Sequence, residues 1–314
     1  MALKLKPLDQ QVIVITGASS GIGLATTAAA AEQGAKLVLA ARSEQILNDV
    51  VQQINANGGE AIAVTADVGR REDVERIAQA AIGRFGRIDT WVNDAGLAIY
   101  GRLDEVSDED SRRLFDVNFW GVVYGSLIAL PHLKVQGGAL INVGSEVSEA
   151  AVPLIGMYTA TKHAVKGFTD SLRLEIEELD KAPVSITLIQ PTAVDTPFPQ
   201  HARNYMDQEP KLPTPTIEPD KVAAAILHAA THPERDVKVG MMAKMNTTMA
   251  KIVPSLGDKV AAKQAGRQQK DEPPRDPEGA LYKPSEDGRI YGEATSKSAE
   301  KNQEAELASP VRNS

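Results

Sequence analysis

The chain has no cysteine among its 314 residues. This excludes disulfides, thiolate catalysis and cysteine-based zinc sites, and it leaves the redox compartment unread. Its five histidines form no His-x3-His pair or other ligand cluster, so no metal site is expected. Positive charge is not in excess either. The formal net charge is −8, which gives no global field for nucleic acid or anionic lipid. No stretch approaches the ~20 apolar residues that span a bilayer, and the first ten residues lack the apolar core of a signal peptide. A cytoplasmic protein without a nucleic-acid partner is expected. The length and the 42% hydrophobic content suit one large α/β domain of roughly 250 residues with something added, or two small domains.

Short β-branched or apolar runs punctuate the first 240 residues, at 12–16, 37–40, 61–65, 88–92, 139–143, 184–189 and 237–239. Continuous runs of this kind suit strands covered on both faces of a parallel sheet. Between them the apolar residues take helical spacing, as with Ile46, Val50, Val51 and Ile54, or Val74, Ile77, Ala78 and Ala81. Repeated strand–helix–strand units imply right-handed crossovers. The expected fold is a Rossmann-type, doubly wound α/β sheet of about seven parallel strands with helices on both faces.

The dinucleotide-binding catalytic domain is thus placed at 1–240. Beyond it, Met241, Met242, Met245, Met249, Ile252, Val253 and Leu256 recur near helical spacing, and Pro254 should break that helix. Residues 241–265 are read as an amphipathic helical appendage. It would pack on the chain's own core or on a second subunit; the alternative is a peripheral membrane contact aided by Lys244, Lys251 and Lys259. Residues 266–314 are polar and rich in proline and are read as a largely irregular tail, with only Tyr282, Ile290 and Tyr291 as anchors.

The first strand runs into Thr16-Gly17-Ala18-Ser19-Ser20-Gly21-Ile22-Gly23, and a helix then runs from about Ile22 to Gln33. A glycine-rich turn between strand and helix sets backbone N–H groups and a helix N-terminus beside a diphosphate. Gly17 allows the turn, Gly21 admits the phosphates, and Gly23 lets the helix approach the sheet. Gly17, Ser19, Ser20, Gly21, Ile22 and Gly23 are therefore candidate cofactor contacts. At the end of the second strand an acidic residue would hold the ribose hydroxyls of NAD. The chain has Ala40-Ala41-Arg42-Ser43 instead. Arg42 can pair with a 2′-phosphate, so NADP(H) is the preferred cofactor and NAD(H) the alternative.

Tyr158 and Lys162 lie four residues apart in a segment of helical pattern and so share a face. A free phenol, with a pKa of about 10, is a poor base at neutral pH; a neighbouring ammonium favours the phenolate. The run 138–143 leads into Gly144-Ser145, which puts Ser145 at the carboxyl end of a parallel strand, where ligands bind. Its hydroxyl could hold a substrate oxygen as charge develops.

Together these residues resemble the short-chain dehydrogenase/reductase family over roughly residues 8–240. The pieces that carry the resemblance are TGASSGIG at 16–23, Asp67-Val68, NDAG at 93–96, Asn118, Ser145, YTATK at 158–162 and PTAVDT at 191–196. It implies Tyr158 as catalytic acid–base and Ser145 as the group orienting the substrate carbonyl. It implies Lys162 on the nicotinamide ribose, lowering the tyrosine pKa. Asn118 would hold a relay water through a local helix irregularity. Asp67 and Val68 would meet the adenine, with Asn93, Ala95 and Gly96 along the adenosine side. Pro191, Val194 and Thr196 would lie at the nicotinamide. The resemblance also implies a homodimer or homotetramer. Asp94 and Thr192 depart from the family's usual Asn and Gly.

The segment from Pro191 to Pro219 contains seven prolines and is long enough to act as a lid. Phe198, Tyr205 and Met206 could close over a substrate opposite Leu97, Ile99, Val147, Val152 and Leu154. Such a pocket suits a hydrophobic ketone, aldehyde or secondary alcohol. The resulting expectation is an NADP(H)-linked oxidoreductase acting on CH–OH and C=O groups, a carbonyl reductase or alcohol dehydrogenase. The alternative is an NADP(H)-binding redox sensor that regulates a partner without turnover.

Overall fold

In the computed structural model, residues 3–252, 254–285 and 287–293 are described. In chain order the strands are β1 (Val12–Thr16), β2 (Lys36–Ala41), β3 (Glu60–Thr65), β4 (Thr90–Asn93), β5 (Ile99–Tyr100), β6 (Gly138–Val143), β7 (Val184–Pro191), β8 (Arg203–Asn204) and β9 (Asp236–Val239). The helices are α1 (Gly21–Glu32), α2 (Glu44–Ala56), α3 (Arg71–Phe85), α4 (Asp108–Phe115), α5 (Gly121–Gln136), α6 (Gly156–Arg173), α7 (Pro219–Thr231), α8 (Met241–Ile252) and α9 (Pro254–Gln264). Seven strands form one parallel sheet in the order β3-β2-β1-β4-β6-β7-β9. The order reverses at β1, where β2 and β4 lie on either side. That is the crevice in which a doubly wound sheet takes its ligand.

The sheet forms because its strands are apolar on both faces. β1, β6 and β7 are buried along their whole length. One face is covered by α3, α5 and α6 around Trp91, Ile77, Leu114 and Leu140. The other is covered by α1 and α7 around Ile13, Ile15, Leu37 and Ile226. Each such side chain contributes about 1.5–3 kcal/mol when fully buried. Gly125 sets the approach of α5 to β4, since a Cβ there would lie 2.1 Å from Asn93 Oδ1 and 2.7 Å from Trp91 Nε1.

Several details depart from the sequence reading. A two-stranded parallel pair, β5 with β8, joins the 97–100 segment to the long connection after β7. A π turn, Asp116–Trp120, links α4 and α5 into one helix, Asp108–Gln136. By length and composition that helix is apolar enough to cross a membrane, contrary to the expectation of no such stretch, but 56% of its most apolar part is buried inside the fold. α8 and α9 break at Pro254, as its ring requires. α8 buries none of its methionines fully. Ala243 and Thr247 face inward, while Met241, Met245 and Ile252 are exposed. The described tail residues, 270–285 and 287–293, are irregular yet lie on the fold, and their principal anchor is Leu281, which is wholly buried, rather than half-exposed Tyr282. Residues 294–314 lie outside the described part.

Candidate active site

A cavity of about 240 Å³ runs across the carboxyl ends of the strands. Its floor at one end is the loop between β1 and α1. Gly17 N–H donates to Ala40 O of β2 at 2.8 Å. Gly17 has φ +76°, and a Cβ there would lie 2.8 Å from Ala95 Cα, so the loop and the 94–96 turn can touch only through glycine. Thr16 Oγ1 accepts from the N–H groups of Asp94 and Ala95 at 3.2 and 3.3 Å, tying β1 to β4. Ser20 stands at the N-cap of α1 without a capping bond. The positive end of α1 therefore faces the cavity, which Ser19, Ser20, Gly21 and Ile22 line. Gly23 lies behind, against Gly17 O and the Asp94 carboxylate.

Arg42 and Ser43 also line this end, with Asp67 and Val68. Burial lowers the Arg42 pKa, while Asp67 works in the opposite sense. Asp67 also pairs with Arg113. Ala95 and Gly96 reach the cavity, but Asn93 does not. Asn93 accepts from Trp91 Nε1 at 2.7 Å and donates to Asn142 Oδ1 at 2.8 Å, inside the sheet. The reading of Asn93 along the adenosine side is thus corrected: its amide joins β4 to β6 and α5.

At the other end, the first turns of α6 bring Tyr158 and Lys162 into the cavity beside Ser145, which follows β6. The Ser145 hydroxyl lines the cavity with Tyr158 and accepts from Val147 N–H at 3.3 Å. Lys162 Nζ donates to Val143 O at 2.8 Å and sits 5.7 Å from the Tyr158 ring centre. Burial pushes the Lys162 ammonium down to about 8, opposed by the nearby Asp94 charge. Burial pushes the Asp94 carboxyl up to about 7, opposed by Lys162 and by the Gly23 N–H. The Tyr158 phenol lies above its ordinary value. Burial is the main cause, Asp94 and Glu146 add to it, and only the Ser145 hydroxyl pulls the other way. Burial sets the net direction, and the Lys162 ammonium is turned toward Val143 O.

Asn118 lies in the π turn and is wholly buried, away from the open cavity. It accepts from Leu97 N–H and donates to Leu97 O, both at 2.9 Å, and donates to Thr161 at 3.1 Å. It thereby clamps the loop after Gly96 to α6.

Pro191, Val194 and Thr196 line the cavity, and so does Thr192. The chamber beyond Tyr158 is apolar. Phe198 meets the Tyr158 ring edge-on at 5.5 Å, and Leu97, Val147 and Val152 line the walls as expected. Ile99 is buried in the core instead, and Ile155 takes the place given to Leu154. Tyr205 points elsewhere, with its hydroxyl on Asp110 at 2.7 Å. Met206 packs behind, against the cluster of Ala98, Tyr100 and Ala202. The sequence reading missed Tyr100, Leu212, Pro213 and Gln268 in the lining. It also missed Glu146, whose carboxylate accepts from Thr192 at 3.1 Å and from Asn246 of α8 at 2.9 Å. The Glu immediately after Ser145 was the available signal.

Comparison with known proteins agrees with this geometry. The family model for short chain dehydrogenases matches residues 11–207. The uncharacterized oxidoreductase YxnA of Bacillus subtilis is 47% identical over 285 residues, covering 89% of this chain and 80% of that protein. An 11-beta-hydroxysteroid dehydrogenase A of Sesamum indicum is 34% identical, covering 72% of this chain and 67% of that one. Among solved structures, a short chain dehydrogenase/reductase from Burkholderia phymatum in complex with NAD superposes with a TM-score of 0.73 at 27% identity, covering 80% of this chain and 96% of that one. An alcohol dehydrogenase from the archaeon Thermococcus sibiricus complexed with 5-hydroxy-NADP gives 0.64 at 31% identity, covering 73% and 94%. With its parallel sheet, its glycine loop at the switch point and this breadth of likeness, the chain belongs to the short-chain dehydrogenase/reductase family and is an NAD(P)-dependent oxidoreductase.

Proposed function

We propose that the protein interconverts a hydrophobic ketone or aldehyde and the corresponding alcohol, with NADP(H) preferred over NAD(H). The observation that carries this reading is the convergence of Ser145, Tyr158 and Lys162 on one cavity with an apolar chamber, Lys162 Nζ lying 5.7 Å from the Tyr158 ring centre. The donor set fits a dinucleotide: the N-terminal end of α1 and the glycine loop suit the diphosphate, and Arg42 at the end of β2 suits a 2′-phosphate. When bound, the nicotinamide supplies or accepts the hydride.

The chain's own residues handle the proton and the oxygen. Ser145 orients the substrate oxygen through its hydroxyl. Tyr158, with its pKa raised, is protonated at neutral pH and is placed to donate that proton as the oxygen gains charge. Lys162 presents its ammonium to a ribose hydroxyl and to the proton path. Asn118 holds the Leu97 loop and α6 in register. The chamber around Phe198, Val147, Val152 and Leu212 excludes water and selects apolar substrates. The relative named as a hydroxysteroid dehydrogenase and the alcohol dehydrogenase with an NADP analogue support this class of substrate and cofactor.

The test is turnover of purified protein with NADPH and NADH across a panel of apolar ketones and aldehydes. Faster oxidation of NADPH is expected; turnover with NADH alone would remove the preference. A second copy is proposed to cover the outer edge of the π turn and α5, where Trp120 and Leu127 are exposed. Light scattering should show a dimer or tetramer, and a monomer at micromolar concentration would contradict this.

A further inference from the structure

Residues 279–285 and 287–292 have no role in the chemistry above, yet they lie across the adenosine end of the cavity. Arg42 donates through Nη2 to Ala280 O at 2.5 Å and through Nη1 to Leu281 O at 3.2 Å. Ser43 Oγ donates to Ser285 O at 2.6 Å. Gly21 N–H, at the head of α1, donates to Arg289 O at 2.9 Å. Three groups suited to a phosphate or ribose thus face backbone carbonyls of one segment. A carbonyl oxygen is an acceptor, as a phosphate oxygen is, so the segment and a dinucleotide address the same donors.

The segment is built to stay there. Leu281 is wholly buried. Gly279 takes φ +53°, and a Cβ on it would lie 2.3 Å from Ala202 O. Gly292 N–H donates to Asp195 O at 3.1 Å, and a Cβ on Gly292 would lie 2.6 Å from both Asp195 Oδ1 and Thr196 O. Between these fixed ends, Ala280 and Ser285 line the cavity, and Ser285 Oγ is 2.8 Å from His201 Nε2. The space left is about 240 Å³, below the roughly 300–1,000 Å³ of ordinary ligand sites.

We infer that residues 279–285 and 287–292 form a cofactor clasp, which lifts for the dinucleotide to enter and closes over its adenosine end, so that the C-terminal segment controls exchange of NADP(H). Arg42, Ser43 and Gly21 are the latch points until they pass to the dinucleotide when it binds, and Leu281 and Gly292 hold the segment shut over it. The inference rests on the dinucleotide site proposed above.

The chain has no cysteine, which permits a clean lock. A Cβ on Gly288 would lie 3.1 Å from Ile46 Cγ2 of α2, within reach of a disulfide. In the full-length Ile46→Cys/Gly288→Cys variant, stopped-flow fluorescence would follow binding and release of NADPH, with NADH in parallel. Disulfide formation would be verified by mass spectrometry. Oxidation should slow both rates about tenfold or more, since several hydrogen bonds must open together. Gly292→Val, which displaces the segment's end, should speed release about tenfold. Each single-cysteine variant should not respond to oxidant. Rates that agree within about twofold between the oxidised and reduced forms and in Gly292→Val would overturn the clasp, while normal NADPH affinity in those proteins would leave the cofactor site standing. Failure of the wild type to bind either dinucleotide would overturn both.

Discussion

Replacing Asp94 by asparagine should change how stability depends on pH. The carboxyl sits beside Gly23 N–H and near Lys162, and burial raises its pKa to about 7, against about 4 in an unfolded chain. The folded protein therefore keeps a proton that the unfolded chain has released between about pH 4 and pH 7. Stability from this group is full below about pH 4 and is lost as the pH rises to about 7. Two pH units, from 5 to 7, correspond to at most about 3 kcal/mol. Asp94 is partly open to the cavity, so about 1–2 kcal/mol is the working figure. The replacing amide has no charge to gain and stays neutral throughout. Denaturant unfolding of both proteins at pH 5 and pH 8 should show Asp94→Asn gaining that amount over the wild type at the higher pH. The substitution also removes the charge that raises the Lys162 pKa, so the alkaline limb of the variant's rate profile should move to lower pH. A stability difference that is the same at both pH values, to within about 0.3 kcal/mol, would refute the reasoning.

Three further substitutions probe the remaining assignments. Arg42→Ala should weaken NADPH about 10- to 100-fold, from loss of charge-assisted bonds, and NADH only slightly; equal losses measured by fluorescence titration would contradict a 2′-phosphate role. Asn93→Ala should cost about 3–5 kcal/mol, because it strands the Trp91 N–H and the Asn142 amide inside the sheet, and this should appear as a large fall in Tm with little change in NADPH affinity of the folded fraction. Leu281→Ala should cost about 2–4 kcal/mol for a wholly buried leucine, whereas a loose tail would show less than about 0.5 kcal/mol.

Much of the fold was legible because local pattern and tertiary demand coincide. Apolar runs with no alternation mark strands that are buried on both faces, and all seven occur within two or three residues of the expected positions. Tyr158, Lys162 and Ser145 converge because helix spacing and the end of a parallel strand are local properties. What the pattern could not show depends on distant partners. Asn93 sits in a motif shared with a cofactor loop, yet its amide is consumed by Trp91 and Asn142, and nothing in its neighbours signals that. The upward direction of the Tyr158 pKa follows from burial, and the ring's neighbour Phe198 comes from the distant loop after β7. The β5–β8 pair joins two-residue strands about a hundred positions apart, too short for any periodicity. Residues 279–285 and 287–292 read as polar tail because their bonds use main-chain carbonyls, which leave no trace in composition.

The central claim is that Tyr158 transfers the proton in a nicotinamide-dependent carbonyl reduction. The most direct measurement is single-turnover NADPH oxidation with an active ketone by wild type and Tyr158→Phe, with NADPH affinity measured for both. The account expects the rate to fall by about 10²–10⁴-fold, the usual contribution of a positioned acid–base group, with affinity unchanged. An undiminished rate in Tyr158→Phe would contradict it.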